Sequence, residues 1–242
     1  MAIDVDKVYK TVLSILNKES RGFLTPEEFN KIGSQVQLDM LDQHFYDYNR
    51  SVVKHNNGRA VDDYGNIPKK IEEKIDPFYK SSNLTLTAGE LTIPSDLYKV
   101  ITITTTDKLK EIEKINKKNL PYLLSSSYSA PSTSFPVYYQ TDTKFVTNPT
   151  LTGSLTLQYI KTPTDPVWAY TKNTSTGALT FSTSTGSGVI PTTGKVDFDL
   201  HESDRVQLII GILKYAGLVI ADPNVIQAAS AEENKTIQLE NS

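Results

Sequence analysis

The apolar period of this chain changes twice, and that change confines it to a fold that mixes helices with antiparallel strands. Near the start, Val5, Val8, Tyr9, Val12, Leu13 and Leu16 recur at helical spacing and form one stripe of an amphipathic helix. From Pro77 the period falls to two: Leu84, Leu86, Leu91 and Ile93 alternate with Thr and other polar residues, as half-buried strands do. Helical spacing returns with Val206, Ile209, Ile210, Leu213, Ala216 and Ile220. The fold class is therefore α+β. A helical N-terminal hairpin and C-terminal helices pack with a central antiparallel β-rich domain, and a Ser/Thr-rich β-hairpin arm or loop is added. The boundaries read as a helical domain of residues 1–76 and 198–242, a β-rich domain of 77–170, and an arm or loop of 171–197.

The first helical pair is sharply punctuated. Gly22 suits the left-handed backbone that closes a helix. Thr25 is then an N-cap, Pro26 suits the first helical position, and Glu28 completes a capping box three residues after the cap. The second helix carries Phe29, Ile32, Val36, Met40, Phe45 and Val52, with an exposed face rich in Gln, Asp and Asn, and ends at the turn signal Asn57-Gly58. Residues 59–76 read as a connecting arm with a short helix at Lys69–Ile75.

In the middle, strands are expected at Val100–Ile103, Val137–Gln140, Lys144–Val146 and Ser154–Tyr159, with Asn148-Pro149 as a turn. Leu109, Ile112, Ile115 and Leu120 suggest a short strand and one short helix. Half of residues 171–194 are Ser or Thr, and Ala178–Phe181 is their only strand-like piece. Such a segment is either a long hairpin arm or a mobile loop, and an arm that orders against a partner is the favoured reading. The stripe from Val206 is not alone on its helix, because Leu208, Ile212 and Val219 occupy other faces. A helix apolar nearly all round is either central or shared with another subunit. Asp222-Pro223 starts a last helix carrying Val225, Ile226, Ala229 and Ile237.

Composition excludes several function classes. A net charge of −3 argues against a free-standing nucleic-acid binder. There is no cysteine, hence no disulfide, thiolate metal site or cysteine nucleophile. The N-terminus lacks a secretory signal, and the most apolar run, Val206–Ile220, is interrupted by Lys214 and shorter than the roughly 20 residues that cross a bilayer. A soluble chain with no membrane partner is expected.

The residues offer little chemistry. His44, His55 and His201 are the only histidines, and none has a second ligand at metal-like spacing. His44, mid-helix, reads as solvated or capping, and His201-Glu202 as a helix start. No nucleophile elbow, phosphate loop or dinucleotide fingerprint is present. Asp62-Asp63 reads as a solvated loop and Asp197/Asp199 as the outward face of an alternating strand. Lys108, Lys110, Lys114, Lys117 and Lys118, mixed with Glu111 and Glu113, form a solvated face that could touch DNA in an assembly. No enzyme activity, cofactor or metal is expected. Trp168, the single tryptophan, is either a lid over the β-sheet or an anchor between subunits.

Three segments together resemble the connector, or ring, proteins that join portal to tail in short-tailed bacteriophages, most like those of crAss-like phages. They are the corner Asn17 through Asn30, the strand-Pro-Trp stretch 157–170, and Phe198 through Pro223. The middle is also similar to the wider tail-adaptor family, in Ile93-Pro94-Ser95-Asp96 before a strand and in Pro136–Tyr139 leading to Leu155–Tyr159. The insertion 171–194 departs from the pattern. The resemblance implies a non-enzymatic virion protein of the phage neck or tail, made in the host cytoplasm. It would form a ring of twelve copies that extends the DNA channel and docks the next tail ring. Its partners would be itself, the portal protein, neighbouring tail rings, and genomic DNA passing without sequence-specific contact. A closed ring needs two different adhesive faces on each copy. Val206, Ile209, Ile210, Leu213 and Ile220 are the interface residues expected from the last apolar stripe. Trp168, Tyr170, Leu179 and Phe181 are those expected around the arm. The alternatives are a tail-associated carbohydrate- or host-binding β module, with Trp168 as sugar platform, and a hydrolase built on an acidic pair.

Overall fold

The computed structural model describes residues 2–18, 24–56, 67–107 and 110–220, together with positions 227, 230–232 and 234–235, which are helical. The expectations for Gly22, Asn57-Gly58, Asp62-Asp63, Lys108, Leu109 and the start of a helix at Asp222-Pro223 lie outside the described residues, as do Val225, Ile226, Ala229 and Ile237. In chain order the helices are α1 (Val5–Lys18), α2 (Pro26–Asn56), α3 (Ile67–Ile75), α4 (Leu120–Ser125) and α5 (Arg205–Ile220). The strands are β1 (Tyr79–Thr85), β2 (Glu90–Thr92), β3 (Leu97–Thr105), β4 (Glu113–Lys114), β5 (Val137–Gln140), β6 (Lys144–Asn148), β7 (Ser154–Lys161), β8 (Tyr170–Lys172) and β9 (Leu179–Phe181). The fold is α+β. The chain forms two compact units: residues 1–77 with 163–242, and residues 78–162.

In the helical unit, α1 buries Val5, Val8, Tyr9, Val12 and Leu16 of the stripe read from the sequence, and Leu13 is half-buried. The capping box forms as written. The Glu28 carboxylate accepts from the Thr25 amide at 2.9 Å and hydroxyl at 2.7 Å, and the Glu28 amide donates to the Thr25 hydroxyl at 3.3 Å. On α2 the buried face is Phe29, Val36, Gln37, Met40, Leu41 and His44, whereas Ile32, Phe45 and Val52 are only half-buried. The polar residues of α2 are not all outward. Asn30 accepts from the Trp168 amide at 2.8 Å, Ser34 bonds Asp165, and Gln37 donates to the Thr164 carbonyl and accepts from the Asp199 amide, both at 2.9 Å. These side chains strap segments 164–168 and 199 onto the helix, and a helix can do this because its backbone groups are already paired.

Helix α5 packs against α1 and α2 through Leu208, Ile212 and Ala216, one turn apart and fully buried. Gly211 lets α2 approach: a Cβ there would lie 2.7 Å from Val36 Cγ1. Helix α3 lies on α2, with the Tyr48 hydroxyl donating to Glu72 at 3.0 Å. The Ser/Thr-rich segment supplies the short hairpin β8–β9, with Tyr170 opposite Phe181 and Lys172 opposite Leu179. Isolated bridges Val167–Val196 and Tyr170–Ile190 tie the rest of it to its own root.

The sheet unit has two sheets. In the first, central β7 runs antiparallel to β1 and to β3. In the second, β2-β6-β5-β4, the only parallel pair is β5 with the two-residue edge strand β4. Leu91, Ile103, Tyr138, Phe145, Leu157 and Tyr159 fill the core between them. Alternation along β7 explains the placement: Leu155, Leu157 and Tyr159 face one way, and Thr156 on the other face donates to Asn83 at 2.8 Å. The turn Ala88-Gly89 joins Thr87 to Glu90 with both central residues at positive φ, 53° and 79°. That is the backbone a two-residue hairpin demands. Asn148-Pro149 follows β6 as the expected turn, with a cis peptide.

Candidate functional site

Three neighbourhoods of the helical unit carry the residues singled out by sequence. The first is aromatic. Trp168 is 5% exposed, its ring centroid 4.4 Å from Tyr9, 5.6 Å from Phe181 and 5.9 Å from a stacked Tyr170. Its indole N–H donates to Asp6 at 3.0 Å in the first turn of α1. Burial pushes the Tyr9 hydroxyl up to about 12, with Tyr170 adding to the shift, so Tyr9 stays a neutral donor to the Leu24 carbonyl at 3.2 Å. The reading of Trp168 as a lid over the β-sheet is corrected here. The ring belongs to the helical unit and is roofed by the short hairpin, because its polar edge finds its partner on α1. A tryptophan closed in this way offers no open face to a sugar ring.

The second neighbourhood is the start of α5. Asp204 is fully buried, with one oxygen 3.0 Å from His44 Nε2 and the other 2.9 Å from Lys74 Nζ. Burial pushes this carboxyl up, but the hydrogen bond with His44 and the attraction of Lys74 outweigh it and hold the carboxyl below its ordinary value. His44 is therefore a buried partner of an acid 160 residues away, and the expectation of a solvated or capping histidine is overturned. His201 caps the turn before α5, its side chain accepting from the Ser203 amide. A similar cluster fixes the start of α1, where Lys195 Nζ lies 3.2 Å from Asp4 and 3.1 Å from Asp197. Asp197 also accepts from the Val5 amide at 3.0 Å, so it is an internal tether rather than an outward strand residue. Both clusters are closed by their own partners and hold helix ends in place. Among the described residues no group of three or more His, Asp or Glu is placed to hold a metal.

The third neighbourhood is the outer side of α5. Val206 is 63% exposed, and Ile209, Ile210 and Leu213 are half-buried. Of the stripe picked out by sequence, Ala216 is buried where the helix is seated, together with Leu208 and Ile212 from its other faces. The backbone of Ile220 is helical, and its side chain lies outside the described residues. Leu179, on the hairpin, is 39% exposed, while Tyr170 and Phe181 are half-buried against Trp168. The structure thus brings Trp168, Tyr170 and Phe181 together. It leaves Val206 and Leu179 facing outward.

Sequence reasoning did not single out the polar grips Asn30 and Gln37 or the Asp204 cluster. Their partners lie more than 120 residues away, and no local spacing reports such pairs. No helix among the described residues is long and apolar enough to cross a membrane.

Residues 60–232 match the family described as SU10 adaptor protein, which takes in all of the sheet unit and α5. No curated protein matches the chain.

Proposed function

The chain belongs to the SU10 adaptor protein family, a phage adaptor family, and on that premise we propose that it is a non-enzymatic subunit of a ring in the phage neck. In this reading twelve copies close below the portal, extend the DNA channel, and offer a docking surface to the next tail ring. The likeness to crAss-like phages belongs to the same proposal. The observation that carries it is the outer side of α5. After the helix has buried Leu208, Ile212 and Ala216, it still presents Val206, Ile209, Ile210 and Leu213, and an apolar helix side of this kind suits a subunit completed by neighbours.

Net acidity suits a conduit, because a negative wall repels the phosphate backbone and lets DNA slide. Burial of Asp204 against His44 and Lys74 fits a scaffold better than a catalyst, since a catalytic carboxylate must reach its substrate. The experiment is size-exclusion chromatography with light scattering on the full chain, with Val206→Asp and Leu213→Asp as variants. A discrete ring lost in the variants supports the reading. A monomer that neither assembles nor associates with portal particles would overturn it.

A further inference from the structure

Two of the stretches of this chain that carry charge of one sign also expose aromatic rings. From Lys114 to Thr141 there are three lysines, Lys114, Lys117 and Lys118, and no Asp or Glu. From Ile32 to Asn49 there are three aspartates, Asp39, Asp42 and Asp47, and no Lys or Arg. The acidic stretch lies on α2, where Gln35, Asp39, Asp42, Tyr46 and Asn49 recur at helical spacing and are all exposed, Tyr46 by 67%. They are the outward stripe of that helix, opposite the face that buries Val36, Met40 and Leu41.

The basic stretch surrounds α4. There Tyr122 is 77% exposed, Phe135 80%, and Tyr128 fully exposed. They border an open hollow of about 890 Å³ whose floor is Ile115, Leu123, Pro131 and Val137. Exposing three aromatic rings around one hollow leaves a large apolar area in water, which a free-standing protein rarely does. Glu113 and Lys114 line this hollow and Lys117 and Lys118 lie in the turn leading into α4, so the aromatic anchors have a polar, lysine-rich surround.

We propose that these two surfaces are the two halves of one contact between neighbouring copies. Tyr122, Tyr128 and Phe135 of one copy would sit against Tyr46 on the α2 stripe of the next, with Lys114, Lys117 and Lys118 facing Asp39 and Asp42. The inference rests on the ring reading and adds a polar and aromatic contact between copies to the apolar α5 side named above. A second copy is the occupant because each chain carries both signs and both aromatic sets, as a head-to-tail contact requires. Opposite charge brings the faces together and fixes their register, and the aromatic rings supply the buried area.

The test uses the full chain. Lys117→Glu with Lys118→Glu sets like charges against each other and is expected to weaken assembly by roughly tenfold to a hundredfold. Adding Asp39→Lys and Asp42→Lys restores opposite signs and is expected to restore assembly, read by sedimentation, with circular dichroism showing that each variant folds. Because the chain has no cysteine, Tyr46→Cys with Tyr128→Cys gives a second measurement. Oxidation, in purified protein and in phage particles, is expected to yield a ladder of linked copies. A ring that forms in the reversed loop variant as in the parent, or that yields no linked copies, overturns this contact and leaves the ring intact. Absence of any ring in protein or particles overturns both. Loop variants that assemble normally but lose retention on DNA would reassign the lysines to nucleic acid and also overturn the contact.

Discussion

His44 Nε2 lies 3.0 Å from an oxygen of Asp204, joining the middle of α2 to the 3-10 turn that leads into α5 across 160 residues of sequence. Lys74, on α3, reaches the other oxygen at 2.9 Å. One carboxylate with no exposure to solvent thus ties three helices of the same unit.

Removing that carboxylate leaves a histidine and a lysine facing a buried gap. Asp204→Ala is expected to cost about 3 kcal/mol, the range for breaking a buried ion pair by deleting one member. Asp204→Asn should cost less, because the amide still fills the site and accepts one hydrogen bond. Urea denaturation at neutral pH checks both.

The same group sets part of the acid limit. Its carboxyl is held below the ordinary value in the folded protein, so folding favours the ionised form. The stabilisation is full above the unfolded carboxylate value of about 3.9, and is lost as pH falls below it and through the depressed folded value. Stability measured from pH 7 downward should fall more gently below about pH 4 in Asp204→Asn than in the parent. An identical acid limb in both would show that the pairing contributes nothing.

Thr25 and Glu28 exchange hydrogen bonds in both directions at the start of α2. Thr25→Ala should destabilise by about 1 kcal/mol. In a double-mutant cycle with Glu28→Ala the two losses should not add, because each removes the same reciprocal pair. Thermal melts of the four proteins decide it.

Gly211 faces Val36 so closely that a Cβ would meet Val36 Cγ1 at 2.7 Å. Gly211→Ala gains about 1 kcal/mol of helix propensity but must displace a β-branched side chain that is stiff in a helix. Overpacking costs about 1–3 kcal/mol, so a net loss is expected. Val36→Ala in the same chain should reverse the sign, seen as a melting temperature above that of Val36→Ala alone.

The turn at Ala88-Gly89 holds a non-glycine residue at φ 53°. Ala88→Asn places there a side chain that tolerates this conformation and should stabilise by about 0.5–1 kcal/mol. Gly89→Ala should do the opposite, since its Cβ would lie 2.8 Å from Thr150 Cγ2. Denaturant midpoints of the two variants should move in opposite directions.

Local physics made much of the fold legible. The stripe of α1, the capping box of α2, and strands β5, β6 and β7 all follow from periods and turn residues within a few positions of each other. Strand β5 has the bounds expected from its sequence, while β6 and β7 each run two residues further. What was not legible depends on distant partners. Helix α5 is apolar on nearly every face, so periodicity grouped Ala216 with Val206, Ile209 and Leu213 and did not single out Leu208 and Ile212 as the seated residues. The small residues Gly211 and Ala216 were the available signal for the close-packed side. His44 and Asp204 have no local pattern at all, and Trp168 is placed by Asp6, 162 positions earlier. The family resemblance reached the adaptor identity through segments spread over the chain, while the faces proposed to join copies rest on exposure that only the folded subunit reveals.

The most direct test of the central claim is a map of the neck of the intact virion. The account predicts a closed ring of this chain on the tail axis beneath the portal, with the α2 stripe of each copy against the α4 region of its neighbour. A neck without this chain, or with it only as a peripheral spike off the channel axis, would contradict it.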